Sequence, residues 1–226
     1  MNSLERRRTR IKICGLTREE DVDAAVGAGA DAVGFVLYSA SPRAVDADRA
    51  AQLAARLPPL VTPVLLFVNA PVGDVLAALA RVPGAIAQFH GDETPDQCRD
   101  ASGRGAHRFI RAARIPLGPE GRAFDLVKYA SDFSRAHAIL LDAQVDGYGG
   151  GGKAFDWSLL PPAVDAHLVL SGGLTPANVG DGIAQLRTVG KSLSVDVSSG
   201  VEARKGIKDA GKIREFVAAV RQADAT

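Results

Sequence analysis

Short apolar runs typical of β-strands alternate with helical stretches along nearly the whole chain. Eight such runs occur at fairly even intervals: IKICG, DAVGFVL, VTPVLLFV, AIAQFHG, HRFIRAARI, HAILLDA, HLVLSGG and SLSVDVSSG. Most segments between them are rich in Ala, Leu and Arg with the apolar spacing of an amphipathic helix, as in VGDVLAALARV. Near-continuous apolar strands such as PVLLFV suit a parallel sheet that is buried on both faces. The alternation predicts an α/β protein.

Eight strand–helix units in one chain favour a closed (β/α)8 TIM barrel over an open sheet. The 226 residues leave about 28 for each unit, which is compact for a fold whose smallest members have about 200 residues. We predict one barrel domain over residues 11–226, preceded by a flexible basic arm over residues 1–10. The helix after the sixth strand should be short, because Pro161 and Pro162 interrupt the segment FDWSLLPPAV.

Charge and cysteine content argue against several classes of partner and compartment. The chain has 27 basic and 26 acidic residues and a formal net charge of +1, so no overall field favours nucleic acid or a membrane surface. No apolar run approaches the ~20 residues of a membrane-spanning helix, and no apolar signal segment follows the basic N-terminus. Cys14 and Cys98 lie in dissimilar segments that do not suggest a disulfide framework. We expect a cytoplasmic protein, monomeric or homodimeric, that acts on a small molecule.

Polar residues gather at the carboxyl ends of the predicted strands, where the catalytic groups of such barrels lie. The first strand ends in Cys14, the fourth in a segment with Gln88 and His90, and the sixth in Asp142. The cysteine is either a packed thiol or, beside positive charge, a reactive thiolate. A carboxyl partly removed from water can donate a proton near neutral pH, although Asp142 could instead cap a turn. The histidine is equally compatible with catalysis and with a hydrogen-bonded rim position. We expect Gln88 and His90 to belong to the substrate-binding site.

Two glycine-containing loops, SGG after the seventh strand and DVSSG at the end of the eighth, predict a phosphate site. Glycines let backbone N–H groups approach an anion closely, and the loops after strands seven and eight are the common phosphate site of these barrels. Two tight turns that need glycine are the alternative. The loops after strands three and four contain no matching pair, so we expect one phosphate group. The candidate ligand-binding residues here are Gly172, Gly173, Asp196, Ser198, Ser199 and Gly200.

Three further features allow more than one interpretation. Arg43 lies in a loop after the second strand, and its planar fork suits a ligand carboxylate or a surface ion pair. The segment GYGGGGKA resembles part of a nucleotide-binding P-loop, but Ala154 replaces the hydroxyl that would reach Mg²⁺. We expect residues 147–153 to form a flexible loop over the rim, with Lys153 either near a ligand or solvated. Arg111 can point into the barrel or out to its helices.

Nine motifs occur between Ile11 and about Val220: KICGLT, DAVGFV, SPR, FVN, QFHGDE, LLDA, GGGGKAFDW, LSGGLTPANV and VDVSSGVEARKGIKD. In this combination they resemble the phosphoribosylanthranilate isomerases of tryptophan biosynthesis. KICG, GGLTPANV and DVSSGVE are the most specific of them. The sequence departs from the family pattern at Phe89, where leucine is usual, and at Ala154, where Thr or Ser is frequent.

The resemblance implies an Amadori rearrangement, in which N-(5′-phosphoribosyl)anthranilate, an aminoaldose, becomes an aminoketose. It implies that Cys14 is the general base, that Asp142 is the general acid and that Arg43 holds the anthranilate carboxylate. It also implies that the two glycine-containing loops bind the phosphate. The substrate nitrogen serves as the electron sink, so we expect neither a metal nor an organic cofactor. For Cys14 we expect a depressed pKa or a thiolate that forms within the complex.

Other functions remain as alternatives. The isomerase of histidine biosynthesis is a similar barrel, but it usually works with two carboxylates and a two-phosphate substrate. Indole-glycerol-phosphate synthase would be expected to show a lysine acid at a strand end, and Lys12 is not at the tip of its strand. A non-catalytic barrel that binds a phosphometabolite need not keep both proton-transfer groups. The joint presence of Cys14, Asp142 and Arg43 favours the phosphoribosylanthranilate isomerase.

Overall fold

The eight predicted strands form a closed parallel barrel in sequence order. In the computed structural model, residues 8–144 and 155–226 are described. The barrel confirms the predicted TIM fold. Its strands are β1 Arg10–Cys14, β2 Ala32–Val36, β3 Thr62–Phe67, β4 Ile86–Phe89, β5 Phe109–Ile115, β6 Ala138–Ala143, β7 His167–Leu170 and β8 Ser192–Val197.

The register of β1 places its polar residues in the barrel interior. Ile11 and Ile13 belong to the large apolar core between sheet and helices. Because successive side chains point to opposite faces of a strand, Lys12 and Cys14 lie on the other face, toward the barrel axis. Lys12 pairs in register with Asp196 on β8, where the barrel closes. Closure therefore joins the first and last strands through two charged residues.

The helices pack on the outer face of the sheet, as the apolar spacing predicts. Leu53 and Phe216, which lie on helices, and Phe35, which lies on β2, are fully buried in the same core. Thr94 and Gln97 form a reciprocal capping box at the start of one helix. The helices are α1 Glu19–Ala28, α2 Ala47–Ala54, α3 Val72–Arg81, α4 Pro95–Ala101, α5 Leu126–Asp132, α6 Val179–Leu186 and α7 Ala210–Ala225.

The sixth unit is short, as predicted from its prolines. Among the described residues between β6 and β7, the helical element is one 3-10 turn over Trp157–Leu159. Gly182 lets α6 approach both β7 and this turn, since a Cβ there would lie 2.5 Å from Leu170 Cδ2 and 3.3 Å from the ring of Trp157. The expected rim loop over residues 147–153, with Lys153 and the departure at Ala154, falls outside the described residues.

The barrel begins one residue before the predicted boundary. β1 starts at Arg10, and Thr9 is already buried, with its backbone N–H and Oγ1 bonded to Asp224 of α7 at 2.8 and 2.6 Å. The first and last elements are thus held together. Residues 1–7 are outside the described part, so the flexible arm stays a prediction for them. None of the helices described is long and apolar enough to cross a membrane.

Candidate active site

Cys14, at the carboxyl end of β1, is only 4 % exposed and lies beside a buried ion pair. Lys12 Nζ donates to Asp196 Oδ1 at 2.8 Å. Gly34 on β2 provides the space for both side chains, because a Cβ there would lie 2.7 Å from Cys14 Sγ and 3.1 Å from Lys12 Cε. Asp196 was predicted as a ligand-binding residue, and the structure places it against Lys12 beneath the predicted base.

Burial raises the pKa of Cys14, and the nearby positive charge of Lys12 opposes this rise without cancelling it. The predicted depressed pKa is therefore wrong for the ligand-free protein. A thiolate that forms within the complex is the remaining expectation. Burial by itself would lower the pKa of Lys12, but the Asp196 carboxylate outweighs it and the net pKa is raised. Lys12 consequently stays charged beside the thiol.

Asp142, at the end of β6, is approached by a chain of hydrogen bonds from β4. Gln88 Nε2 donates to His90 Nδ1 at 3.1 Å, and His90 Nε2 lies 2.9 Å from Asp142 Oδ2. Since an amide nitrogen only donates, Nε2 of His90 carries the proton and donates it to the carboxylate. We call the open end of the barrel at the carboxyl ends of its strands the mouth. Gln88 is fully buried, so it contacts His90 and does not face the mouth. Its Oε1 has no hydrogen-bond partner among the described residues.

Arg43 is held by a residue that the sequence analysis missed. Its Nε and Nη2 donate to Glu202 Oε1 and Oε2 at 2.7 and 2.9 Å, and both side chains are buried. A surface ion pair is therefore wrong. Gly15 allows the approach, because a Cβ there would lie 2.5 Å from Arg43 Cδ. The charged stretch VEARKGIK, directly after the eighth strand and its loop, was the available sequence signal for Glu202 and for Lys208.

The two candidate phosphate loops, residues 171–173 and 198–200, lie against each other. Gly172 and Gly173 both have positive φ, at 78° and 66°, a conformation that favours glycine. Gly200 has no room for a side chain, since a Cβ there would lie 1.9 Å from Leu174 O. Backbone of the two loops is thus close together at the rim. The anion site itself stays a prediction.

Each loop also contacts one of the two proton-transfer regions. A Cβ on Gly172 would lie 2.8 Å from Asp142 Oδ1, and a Cβ on Gly15, next to Cys14, would lie 3.1 Å from Ser198 Oγ. A group bound by the loops therefore has the predicted acid on one side and the predicted base on the other.

Arg111 and Cys98 lie outside this mouth. Arg111 points outward from β5, where Nη1 donates to Glu93 Oε2 at 2.8 Å and the guanidinium covers the Phe133 ring at 4.9 Å. Cys98 is fully buried in α4, as expected for a packing residue. Phe89 packs against other rings of the core, with centroids 5.6 Å from Phe109. No cluster of metal-ligating side chains occurs among the residues that could be searched, 8–144 and 155–226.

Comparison with known proteins decides between the families. The family model of N-(5′-phosphoribosyl)anthranilate isomerase matches residues 11–219. The chain belongs to the phosphoribosylanthranilate isomerase family. A curated member from Methylibium petroleiphilum is 62 % identical over 218 residues, or 96 % of each chain. One from Leptothrix cholodnii is 59 % identical, over 96 % of this chain and 93 % of its own.

Solved phosphoribosylanthranilate isomerases share the fold as well as the sequence. The enzyme from Thermotoga maritima is 38 % identical, with a TM-score of 0.81 over 95 % of this chain and 99 % of its own. A further one, at 34 % identity and TM-score 0.73 over 95 % and 99 %, was solved with reduced 1-(o-carboxyphenylamino)-1-deoxyribulose 5-phosphate. The predicted function, isomerisation of N-(5′-phosphoribosyl)anthranilate in tryptophan biosynthesis, is confirmed by these findings.

Proposed function

We propose that Asp142 and Cys14 carry out the Amadori rearrangement as general acid and general base. The observation that supports this assignment is the close approach of the two candidate phosphate loops to both regions, of Gly172 to Asp142 and of Ser198 to Gly15 next to Cys14. A ribose whose phosphate is bound by these loops lies between the two groups. Positioning of this kind makes proton transfer within the complex efficient.

The first step opens the furanose ring. Asp142 protonates the ring oxygen, the bond from C1′ to this oxygen breaks, and the nitrogen lone pair forms the C1′=N bond of an iminium ion. His90 donates to Oδ2 of the carboxyl group, and the Ala143 N–H donates to Oδ1 at 3.0 Å. In this proposal Oδ1, which lies beside Gly172, delivers the proton. Gln88 supports the reaction by fixing the ring of His90.

The second step removes the proton from C2′. Cys14 accepts it as thiolate, and the electron pair forms the C1′=C2′ bond while the nitrogen becomes neutral. Because the iminium is positively charged, it favours thiolate formation next to it and opposes the effect of burial on the thiol. The enolamine then gains a proton at C1′ and loses one from the 2′-hydroxyl. The product is the ketose, with no net change in protons.

Two groups at the mouth suit the two anionic ends of this substrate. The backbone N–H groups of Gly172, Gly173, Ser199 and Gly200 bind the phosphate in this proposal. Arg43 binds the anthranilate carboxylate through Nη1, which has no acceptor among the described residues, while Nε and Nη2 are engaged by Glu202. A solved relative that binds a reduced carboxyphenylamino-deoxyribulose phosphate supports this choice of ligand.

We also infer a cytoplasmic location and a monomeric or homodimeric state. Two free, buried cysteines, Cys14 and Cys98, are typical of a reducing compartment. One solved relative is described as monomers generated from the dimeric enzyme of Thermotoga maritima. Sedimentation of the purified chain distinguishes the two states, and a larger assembly would contradict both.

The assignment is tested with the purified chain and freshly prepared phosphoribosylanthranilate, by following the loss of anthranilate-type fluorescence. We expect Cys14→Ala and Asp142→Asn each to lower kcat by about 10²–10⁴-fold, the usual contribution of a general acid or base. Cys98→Ala is the matched control and should keep normal turnover. Near-normal kcat in either active-site variant would contradict the role assigned to that residue. Turnover of the histidine-pathway substrate shows whether the activity is dual.

A further inference from the structure

A buried cluster of three charges lies between the Arg43 end of the mouth and the candidate phosphate loops. Glu202 accepts from both Nε and Nη2 of Arg43. Lys208 Nζ, whose side chain is fully buried, lies 3.0 Å from Glu202 Oε1. The same Nζ donates to the backbone oxygen of Ser198 at 2.9 Å. We refer to Arg43, Glu202 and Lys208 as the Glu202 cluster.

The backbone around Glu202 is fixed from several sides. The strands β9 Glu202–Arg204 and β10 Ile207–Lys208 form a small antiparallel hairpin. Its turn residue Gly206 has a φ of 79° and packs so closely on the Arg43 loop that a Cβ would lie 2.7 Å from Pro42 O. Thr17 Oγ1 donates to Gly206 O at 2.9 Å. The hairpin therefore holds Glu202 in a defined position against the loops after β1 and β2.

The charges of the cluster suit an anion. Burial would raise the pKa of Glu202, but the hydrogen bonds from Arg43 and the charge of Lys208 outweigh it and lower the pKa. The Arg43–Glu202 pair is then neutral as a whole, and Lys208 adds one positive charge when it is protonated. A neutral pair alone would attract a carboxylate weakly. Glu202 thus orients the Arg43 guanidinium, whereas Lys208 supplies the net positive charge of the cluster.

We propose that Glu202 is a positioning residue, which fixes the Arg43 guanidinium for the substrate carboxylate and, through Lys208, couples that end of the pocket to the phosphate loop at Ser198. This inference rests on the proposed role of Arg43. It assigns to Glu202 and Lys208 a function in substrate selection. Glu202 acts through Arg43 and does not touch the substrate itself.

A second buried Arg–Glu pair in the same chain supplies a matched control. Arg111 Nη1 donates to Glu93 Oε2 at 2.8 Å on the helix side of β5, and all four side chains of the two pairs are less than 10 % exposed. Glu93→Gln and Glu202→Gln therefore each remove one negative charge from a buried pair with an arginine. Both pairs lie near the rim, since Gly91 next to His90 donates to Glu93 Oε2 at 2.9 Å, but only the second contains the arginine proposed to bind the substrate carboxylate.

The experiment compares two substrates, phosphoribosylanthranilate and the equivalent aminoaldose made with aniline, which lacks the carboxylate. The ratio of their kcat/KM values measures the preference for the carboxylate, and effects on the shared chemistry cancel in it. We expect a preference of about 10- to 100-fold in the wild-type chain, as charge-assisted hydrogen bonds supply. Glu202→Gln should reduce it about tenfold, mainly through KM for the carboxylate substrate. Glu93→Gln should leave it unchanged.

The outcomes separate this inference from the proposed role of Arg43. If the wild-type chain does not prefer the carboxylate substrate, or if Arg43→Lys keeps that preference, the proposed binding of the carboxylate by Arg43 is contradicted. If Arg43→Lys loses the preference while Glu202→Gln keeps or increases it, Glu202 is only a compensating charge and our inference is overturned. Should Glu202→Gln not fold, Lys208→Met is measured in the same way. That variant removes the net positive charge and should also lower the preference, and an unchanged ratio would contradict the coupling.

Discussion

The base side and the acid side of the mouth use different physical means. Cys14 at the end of β1 lies beside the charged pair of Lys12 and Asp196, whereas Asp142 at the end of β6 is reached by the hydrogen-bond chain of Gln88 and His90. A thiol in a buried site needs nearby positive charge to lose its proton. Both oxygens of the Asp142 carboxyl group are held in place, Oδ2 by His90 and Oδ1 by the Ala143 N–H. Nearby charge therefore controls the protonation of the base Cys14, and hydrogen bonds control the orientation of the acid Asp142.

Removal of the charge on the base side should have the largest effect. Lys12→Met takes away the cation that opposes the raised pKa of Cys14. Less thiolate then forms, so we expect kcat to fall about 100-fold, at the low end of a general-base contribution. The variant also leaves the Asp196 carboxylate buried without its partner, at a cost of about 3–5 kcal/mol in the free energy of unfolding. Steady-state kinetics and urea denaturation measure the two effects.

A double variant separates stability from chemistry. Lys12→Met with Asp196→Asn removes both charges, so most of the stability should return. Because the Asp196 charge raises the pKa of Cys14, its loss should restore kcat only in part. Full recovery of kcat along with stability would show that Lys12 is only structural, and the contrast between the two sides would then be lost.

The pH dependence of alkylation tests the raised pKa of Cys14 directly. Because only the thiolate reacts, the iodoacetamide rate should rise about tenfold for each pH unit below the pKa and should still be rising at pH 9. Burial raises the pKa of Cys98 to about 12, and a Cys98→Ala background removes that thiol altogether. Bound product should slow the reaction. A plateau near pH 7 would instead indicate a depressed pKa in the ligand-free protein.

Loss of orientation on the acid side should have a smaller effect. His90→Gln removes the ring that holds Asp142 Oδ2 but leaves the carboxyl group in place, so we expect kcat to fall about tenfold, at the low end of a general-acid contribution. His167→Gln, at the opposite end of the barrel on β7, is the control and should have wild-type kcat. A loss as large as that of Asp142→Asn would mean that His90 itself transfers the proton.

The smallest effect is expected for the residue farthest along the chain of hydrogen bonds. Gln88→Leu loses the bond to His90 Nδ1, but it also removes the buried Oε1 that has no partner among the described residues. The lost hydrogen bond destabilises the protein and the removal of the unpaired oxygen stabilises it, so the free energy of unfolding should change by about 1 kcal/mol or less. We expect kcat to change threefold or less. A drop in kcat comparable to that of His90→Gln would show that the whole chain acts as one unit.

Strand positions and rim residues were predictable because they depend on local pattern. All eight predicted runs are strands of the barrel, and Cys14 and Asp142 lie where a strand end should place them. The roles of Arg111 and Arg43 were not predictable in the same way. Each is a buried arginine paired with a glutamate, and a sequence pattern does not show which partner is in reach or which face of the sheet receives the pair.

The sequence by itself determined the alternation of strands and helices, the closed barrel and the loops that suit a phosphate. These follow from apolar periodicity and glycine positions over a few residues. Only the tertiary structure decided the pairing of Lys12 with Asp196, 184 positions apart, and of Arg43 with Glu202, 159 positions apart. Such contacts depend on the register in which the barrel closes and on the approach of separate loops. Burial within that closed barrel also reversed the expected pKa shift of Cys14, because desolvation is a property of the packed site and not of the neighbouring sequence.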